Sequence, residues 1–311
     1  MARKLRLQYP GAVYHVMNRG DRRESIFLDD QDRWRFLEAL REACEKTAWQ
    51  VHAYCLMPNH FHLVIETPQA NLIAGMKWLL GTYTSRFNRR HKLFGHLFSG
   101  RYKSLIVDES GDGYLRTVCD YVHLNPVRAR LLSDEQPLSD YPWSSYGAYL
   151  KPPSKRAPWL RVDRLFGELG IQRDDAAGRR RFAEAVEQRR RRVEPGEWKA
   201  LRRGWMIGGA ERRQELLERM GQEVGQHHGG EEIQETEQQR AELLVRQELQ
   251  KRRWTESDLK QRRKTDAGKV RIAAWLRRET VMTLEWIAAR LQMGSRYTLA
   301  NCFKEFNKGR D

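Results

Sequence analysis

Two strand-like runs separated by only two residues are the strongest constraint that this sequence places on its fold. Val51–Met57 and His60–Glu66 are rich in apolar and aromatic side chains, and only Pro58 and Asn59 lie between them. So short a connection joins antiparallel neighbours, because a parallel crossover needs a dozen residues or more. The sequence therefore predicts a β-hairpin whose two strands lie side by side in a sheet.

Further elements surround this hairpin in an order that is typical of an α+β fold. Apolar periodicity predicts strands at Ala12–Met17 and Ser104–Val107 and helices at Asp29–Thr47, Leu72–Asn88 and Gly113–Leu124. Pro126 ends the last of these helices. The order β-α-β-β-α-β-α predicts a ferredoxin-like, antiparallel-sheet sandwich over residues 1–150, with its helices on one face of the sheet.

The charge of the chain restricts its partners. The 311 residues include 57 Lys and Arg but only 41 Asp and Glu, which gives a formal net charge of +16. Such an excess favours a polyanion, with nucleic acid ahead of an anionic membrane surface. No apolar run approaches the length of a membrane span, and no signal region follows the basic start, so we expect a cytoplasmic protein and no membrane partner. The four cysteines have no metal spacing and are expected to be reduced thiols: Cys44, Cys55, Cys119 and Cys302.

The second half of the chain differs in composition from the first. The Pro- and Lys-rich stretch 151–155 is interpreted as a linker. We therefore predict three regions: an α+β domain at 1–150, a basic, helical and partly flexible region at 151–268, and a separate helical domain at 269–311. Within the middle region, residues 231–253 are expected to form a weakly packed helix or to be partly disordered, and His227 and His228 are expected in a loop.

The tripeptide His60-Phe61-His62 is the sharpest local feature. On a strand both imidazoles point to one face, while Phe61 points to the other and can fill the core. Two imidazoles placed in this way can chelate one divalent ion. Two half-exposed strand histidines without a metal are the alternative that the residues alone leave open.

The predicted helix 113–124 carries a second set of candidates. Leu115, Val118 and Val122 form its apolar stripe, whereas Tyr121 and Asn125 lie one turn apart on a different face. His123 lies on neither face, and we expect it to contact solvent or DNA. A half-buried structural tyrosine and a plain C-terminal cap are the alternatives for Tyr121 and Asn125.

These residues fall in stretches that resemble a known class of proteins. Met57–Ile65 resembles the histidine–hydrophobe–histidine (HUH) strand of single-tyrosine transposases and relaxases. Tyr121–Ala129 is similar to the tyrosine helix of one branch, the REP-associated tyrosine transposases, which are linked to repetitive extragenic palindromes in bacteria. Three further stretches are similar to the same branch: Tyr14–Gly20, Phe98–Ser104 and Tyr141–Tyr146. Five stretches in the right order over roughly residues 8–150 make the resemblance specific.

The resemblance implies a role for each matching residue. Tyr121 would attack a phosphate of single-stranded DNA and leave a 5′-phosphotyrosine and a free 3′-OH. His60 and His62 would hold Mg²⁺ or Mn²⁺, with the amide oxygen of Asn125 as third ligand. The chemistry suits a phenol, whose pKa of about 10 makes it a poor nucleophile without activation. Two imidazoles and one amide also leave coordination positions open for phosphate and water.

A basic stretch between Glu66 and Asp108 contains no acidic residue. Basic side chains can follow phosphates and exposed rings can stack on unpaired bases, so the stretch predicts a DNA interface. A solvated basic helix face over core aromatics is the alternative, and Trp78, Tyr83 and Phe87 are expected in the core. Together with the motifs, this predicts DNA contacts in the first domain at Asn18, Arg19, Arg86, Arg89, Arg90, Arg101, Lys103 and Arg128.

The last stretch of the chain shows two amphipathic helices around Gly294. Thr283 and Ser295 are predicted to cap them, and their apolar faces are expected to hold Leu284, Ile287, Ala288 and Leu291, then Leu299, Cys302, Phe303 and Phe306. Preceded by a helix over 272–278, this pattern is typical of a helix-turn-helix, with Arg296, Tyr297 and Asn301 facing DNA. A plain helical hairpin is the alternative, and the basic charge of this stretch favours DNA.

Three functions from different classes fit these features. The leading hypothesis is a strand transferase that nicks and rejoins single-stranded DNA near imperfect hairpins. The second is a non-catalytic protein that binds hairpin DNA for regulation. The third is a metal-dependent phosphodiesterase that uses water, with Tyr121 merely structural. For the first, we expect no organic cofactor, a monomer or weak homodimer, and a place close to the bacterial nucleoid.

Overall fold

The computed structural model describes residues 7–110, 113–192, 198, 201, 204–224 and 231–308. The chain divides into two compact units: the first comprises Met1–Cys44, Ala48–Ala70 and Leu79–His227, and the second Glu45–Thr47, Asn71–Trp78 and His228–Asp311. No helix in the described ranges is long and apolar enough to cross a membrane. The four cysteines are buried and free, as expected. His227 and His228 lie outside the described residues.

A five-stranded sheet is the framework of the first unit. Its strands are Ala12–Arg19 (β1), Gln50–Met57 (β2), His60–Thr67 (β3), Lys103–Val107 (β4) and Met206–Ile207 (β5). The order is β2-β3-β1-β4-β5, and the first four strands pair antiparallel, with the predicted hairpin at β2 and β3. The α+β class is therefore confirmed. The fifth strand pairs parallel to β4 and was not predicted, because two residues show no periodicity.

The helices up to residue 224 alternate with these strands and follow them. They are Asp30–Thr47 (α1), Leu72–His91 (α2), Tyr114–His123 (α3), Asn125–Arg128 (α4), Tyr146–Tyr149 (α5), Asp163–Glu168 (α6), Ala176–Arg191 (α7) and Ala210–Val224 (α8). Helix α1 begins where the side chain of Asp29 accepts a hydrogen bond from the backbone N–H of Asp32, at 3.0 Å. This N-cap explains why the predicted start was accurate to one residue.

Helices pack on both faces of the sheet. Phe61 of β3 lies against Phe36 of α1, with 4.9 Å between ring centroids, and Phe36 in turn contacts Tyr83 of α2. The next residue of β3, His62, points to the opposite face and meets Tyr121 of α3. The prediction that the helices share one face is therefore wrong, because α3 packs on the face opposite to α1 and α2.

The chain stays with the first unit beyond the Pro- and Lys-rich stretch 151–155. Val51 lies on edge strand β2, and its backbone N–H donates to the carbonyl of Trp159 at 3.1 Å. The carbonyl of Val51 accepts a hydrogen bond from the backbone N–H of Arg161 at 2.8 Å. Glu66 of β3 forms ion pairs with Arg161 at 3.1 Å and with Arg164 at 2.9 Å. These residues complete the sheet edge, so the compact unit extends to His227 and not only to residue 150.

The second unit is helical from residue 231 onward. Its helices are Glu231–Lys251 (α9), Glu256–Gln261 (α10), Ala267–Glu279 (α11), Leu284–Arg290 (α12) and Arg296–Lys308 (α13). Val245 and Leu249 of α9 are buried in a core with Ile272 and Leu276 of α11. The expectation of weak packing is therefore wrong for the C-terminal part of α9, where a few apolar residues four positions apart anchor the helix.

The last two helices have the predicted caps and apolar faces. The hydroxyl of Thr283 accepts a hydrogen bond from the backbone N–H of Trp286 at 3.2 Å, and that of Ser295 accepts one from Thr298 at 3.3 Å. Gly294 turns the chain at a φ of +84°, a conformation that glycine adopts without strain. Ile287, Ala288, Leu291, Leu299 and Cys302 are buried. The side chain of Phe306 lies outside the described residues, and a DNA-binding helix-turn-helix stays a prediction.

Candidate active site

Strand β3 presents its two histidines on one face, beside the hairpin turn. The ring centroids of His60 and His62 are 5.1 Å apart and the rings are almost perpendicular. Phe61 points away and is fully buried, as the alternation of a strand requires. His62 is only 4% exposed, whereas His60 is half-buried. The alternative of two half-exposed histidines therefore does not hold for His62.

Helix α3 brings Tyr121 against the same face. The ring of Tyr121 lies 5.6 Å from the ring of His62 in an edge-on contact, and 4% of Tyr121 is exposed. The predicted apolar stripe of α3 is buried, at Leu115, Val118 and Val122. Tyr121 directly precedes Val122, the last residue of this stripe. Packing of α3 onto the sheet therefore places the phenol beside the histidines.

Asn125 and Arg128 complete this side of the site. Asn125 begins helix α4 and is 6% exposed. The guanidinium of Arg128 lies 4.4 Å from the ring centroid of Tyr121 and donates a hydrogen bond to Asn125 Oδ1 at 3.2 Å. Asn125 Nδ2 is buried and has no hydrogen-bond partner among the described residues. The structure therefore gathers His60, His62, Tyr121 and Asn125 in one place.

His15 also belongs to this cluster, and sequence reasoning missed it. It lies on β1, two residues before Met17, which pairs with His62 across the sheet. His15 and His62 therefore point to the same face of the sheet, towards α3. His15 Nε2 is 2.9 Å from His62 Nδ1, and its ring lies 5.5 Å from that of Tyr121. The sequence signal for it is a histidine inside an otherwise apolar strand, within the stretch Tyr14–Gly20.

Burial keeps the imidazoles of the site neutral. It lowers the pKa of His60 to about 4, with the positive charge of Arg19 acting in the same direction. Burial also lowers the pKa of His15 to about 3, and holds the pKa of His62 well below its usual range together with the neighbouring histidines. All three rings are uncharged at neutral pH, and the neutral ring is the form that binds metals or accepts a proton.

The donor atoms suit a divalent cation with open positions. Among the described residues, no three His, Cys, Asp or Glu side chains converge on a metal site. The available donors are instead two imidazoles and the amide of Asn125. His60 Nδ1 lies 2.7 Å from Asn59 Oδ1, so this nitrogen carries the proton and Nε2 is left as the ligand atom. His62 can offer Nε2 in the same way if its Nδ1 donates to His15.

Trp198, from far beyond the motifs, lies against the tyrosine. Its ring is 5.5 Å from that of Tyr121 and it is 3% exposed. The guanidinium of Arg189 stacks on Trp198 at 5.0 Å and lies 3.9 Å from the buried carboxyl group of Asp120. Burial raises the pKa of Asp120 to about 7. No sequence signal pointed to these contacts, since they join the two halves of the first unit.

His123 is a core residue, and the expectation that it contacts solvent or DNA is wrong. It is 1% exposed, and its Nε2 lies 2.9 Å from Ser145 Oγ. Its ring packs among Tyr146, Tyr149 and Phe182, and burial lowers its pKa to about 3. Residues after 140 supply this pocket, and the periodicity of α3 alone could not reveal it.

Two of the residues predicted to contact DNA, both on α2, form ion pairs with acidic residues of α1 and its N-cap. Arg86 pairs with Glu42 at 2.7 Å, and Arg90 pairs with Asp32 at 2.6 Å and also with Asp29. Acidic residues that are distant in sequence thus balance part of the charge of this acid-free stretch. These ion pairs join α2 to α1, and DNA contacts at Arg86 and Arg90 stay a prediction.

The other predicted DNA contacts differ in exposure. Asn18 is 6% exposed, its Oδ1 accepts a hydrogen bond from the backbone N–H of Arg19, and its Nδ2 is a buried donor without a partner among the described residues. Of the aromatic residues in the acid-free stretch, Tyr83 and Phe87 are core residues as predicted, whereas Phe94 is 97% exposed. The remaining predicted contacts are exposed, at Arg19, Arg89, Arg101, Lys103, Arg296, Tyr297 and Asn301.

Residues 8–125 match the model of the family described as "Transposase IS200 like". The matched range contains all four residues of the predicted site. A Haemophilus influenzae protein provisionally named a REP-associated tyrosine transposase is 23% identical over 147 residues, which cover 44% of this chain and 80% of that protein. The resemblance found in the motifs is thereby confirmed.

Two solved structures are also similar to this chain. One is a REP-associated tyrosine transposase bound to a REP hairpin, with 16% identity and a TM-score of 0.40 over 48% of this chain and 84% of that one. The other is a protein of Deinococcus radiodurans R1 provisionally described as a transposase, with 21% identity and a TM-score of 0.28 over 37% of this chain and 94% of that one.

Proposed function

We propose that this chain is a metal-dependent tyrosine transposase that nicks and rejoins single-stranded DNA at hairpins of repetitive extragenic palindromes. The observation that carries the proposal is the setting of Tyr121, which packs edge-on against two buried, neutral imidazoles one turn before Asn125. If Tyr121 were merely structural, apolar side chains around it would cost less free energy than two imidazoles, because buried polar rings lose their hydration.

In the proposed reaction the phenol oxygen of Tyr121 attacks a phosphorus atom of the DNA backbone. A new bond from Oη to phosphorus forms, and the bond from phosphorus to the 3′ oxygen breaks, which gives a free 3′-OH after protonation. The phenol proton passes to solvent water. The 5′-phosphotyrosine ester conserves the energy of the broken bond, so the reverse reaction can rejoin strands without ATP.

Positive charge is available where the phosphate would lie. His60, His62 and Asn125 would hold Mg²⁺ or Mn²⁺, which when bound neutralises charge on the phosphate oxygens. Arg128, over the ring of Tyr121, adds a fixed charge that favours both the phosphate and a phenolate. Arg19 is exposed beside His60 and can follow the backbone of the substrate.

A hairpin-binding regulator without catalysis is the second candidate. It is favoured by the burial of Tyr121, which is only 4% exposed under Trp198. An incubation with a 3′-end-labelled single-stranded hairpin and Mn²⁺, followed by a denaturing gel, separates the candidates. If the protein is a transposase, the labelled fragment migrates with the protein as a covalent protein–DNA adduct. A hydrolytic phosphodiesterase releases a labelled fragment free of protein, and a regulator binds the hairpin and leaves it intact.

The loop after α2 presents a ring for base stacking in this proposed function. The backbone N–H of Leu93 donates to the carbonyl of Asn88 at 2.9 Å, and Asn88 Nδ2 donates to the carbonyl of Gly95 at 3.0 Å. These bonds hold the loop in a shape that leaves Phe94 97% exposed. With the exposed Arg89 and Lys92 nearby in sequence, the loop suits an unpaired base and its phosphates.

We expect Phe94→Ala to weaken binding of a hairpin with a single-stranded flank by about 5- to 150-fold, the effect of losing one stacked base of about 1–3 kcal/mol. Binding of the same hairpin without the flank should change little. Fluorescence anisotropy on both DNAs measures this. Leu93→Ala is the matched control, since it removes a neighbouring exposed side chain without a ring. Equal losses on both DNAs, or in both variants, would rule out stacking by Phe94.

The end of the chain is proposed to add duplex contacts through α13. Arg296, Tyr297 and Asn301 are exposed at its start, next to the turn at Gly294. Arg296→Ala should lower the slope of log affinity against log salt by about one, because one phosphate contact is lost. Arg278→Ala, which removes an exposed arginine from α11 of the same unit, should leave the slope unchanged. A salt titration of both full-length variants is the measurement, and equal slopes would favour the plain helical hairpin.

A further inference from the structure

His15 makes one side-chain hydrogen bond in the described structure, and its partner is a proposed metal ligand. Its Nε2 lies 2.9 Å from His62 Nδ1, and the two rings stack with centroids 5.2 Å apart and planes tilted by 20°. His15 is completely buried, and its other nitrogen, Nδ1, has no hydrogen-bond partner among the described residues. A buried imidazole with a single specific contact points to a role at that contact.

Two proton arrangements of this pair are possible, because a hydrogen bond between two imidazoles needs one N–H donor and one nitrogen lone pair. In the first, His62 Nδ1 donates to His15 Nε2, and His62 Nε2 has a free lone pair. In the second, His15 Nε2 donates to His62 Nδ1, and the proton of His62 is on Nε2, where it blocks a metal. Only the first arrangement allows His62 to bind a cation through Nε2.

We infer that His15 is a positioning residue, which accepts the Nδ1 proton of His62 and thereby fixes the tautomer and ring orientation that present His62 Nε2 to the metal. The inference rests on the proposed function, since it assumes that His62 is a ligand. It adds a residue of β1 to a site whose proposed ligands come from β3 and α4. His60 has the equivalent partner in Asn59, so each ligand histidine has its own acceptor.

The position of His15 also links the metal side of the site to the nucleophile. The ring centroid of Tyr121 lies 5.5 Å from that of His15 and 5.6 Å from that of His62, and both contacts are edge-on. Loss of the acceptor at this position frees the ring of His62 to turn and leaves its Nδ1 without a partner. The first consequence is weaker metal binding, because partners of this kind are typically worth 10–100-fold in metal affinity.

The test measures Mn²⁺ affinity by calorimetry on full-length protein without DNA. His15→Phe keeps a flat ring but has no acceptor, and we expect it to bind Mn²⁺ about 10–100-fold more weakly. His15→Gln offers an amide oxygen to the same proton and should recover a large part of this loss. His52→Phe is the matched control, because His52 is equally buried on β2 but bonds to Glu66 at 3.0 Å, far along the sheet from His62. It should bind Mn²⁺ like the wild type.

Metal-free hairpin binding and the melting temperature show whether each variant is folded. Wild-type Mn²⁺ affinity in folded His15→Phe, or an equal loss in His15→Gln and His15→Phe, would overturn the inference. Wild-type protein that binds no Mn²⁺ would overturn it as well. The proposed function fails by a different measurement, the absence of the covalent DNA adduct. An adduct in wild type together with normal Mn²⁺ affinity in His15→Phe would reject the role of His15 alone.

Discussion

Tyr121→Phe should abolish the covalent protein–DNA adduct and leave hairpin binding nearly unchanged. The substitution removes only the nucleophilic oxygen from a ring that is packed against His15, His62 and Trp198. Loss of a catalytic nucleophile lowers a rate by as much as about 10⁶-fold, far below detection in a gel assay. The adduct yield on denaturing gels and the hairpin affinity by anisotropy are the two measurements.

Tyr114→Phe is the matched control for this variant. Tyr114 begins the same helix, α3, but it lies two turns before Tyr121 and makes no ring contact with the histidines among the described residues. It should form the adduct at the wild-type yield. Adduct formation by Tyr121→Phe would refute the assignment of the nucleophile, whatever the behaviour of the control.

His62→Ala should remove cleavage and strongly reduce Mn²⁺ binding. This side chain is 4% exposed and bonds to His15, so truncation also leaves a buried imidazole without a partner, at a cost of about 1–3 kcal/mol. A lower melting temperature is therefore part of the expected result. Rate assays with Mn²⁺, calorimetry and thermal unfolding measure the three effects.

His60→Ala separates ligand loss from loss of stability. His60 is half-buried, so its truncation should cost less stability while removing one of the two imidazole ligands. Cleavage should fall strongly in this variant, and less in Asn125→Ala, because an amide is a weaker ligand than an imidazole. Full cleavage by folded His60→Ala, or by wild type in excess chelator, would show that no metal acts at this site.

Local rules predicted the parts of the site that depend on one element. The two-residue connection at Pro58 and Asn59 fixes the antiparallel pairing of β2 and β3, and strand alternation then places His60 and His62 on one face. The helical period puts the apolar stripe of α3 on the sheet and Tyr121 beside it. These relations need no knowledge of the rest of the chain.

The remaining features depend on which elements meet in space. Arg86 and Arg90 of α2 form ion pairs with acidic residues of α1 and its N-cap, which lie about 45 to 60 positions earlier in the chain. His15 reaches His62 only through the β1–β3 register, and Trp198 reaches Tyr121 only because residues beyond 150 fold onto the first unit. Such contacts leave no local periodicity, so composition and spacing could not reveal them.

The most direct test of the account is to locate the bond between protein and DNA. Trypsin releases Thr117–Arg128, a peptide in which Tyr121 is the only tyrosine. After incubation with a single-stranded hairpin and Mn²⁺, followed by nuclease and trypsin, the account predicts this peptide with a 5′-linked nucleotide on Tyr121 in tandem mass spectra. A nucleotide on a tyrosine of another peptide, or cleaved hairpin DNA with no modified peptide, would contradict it.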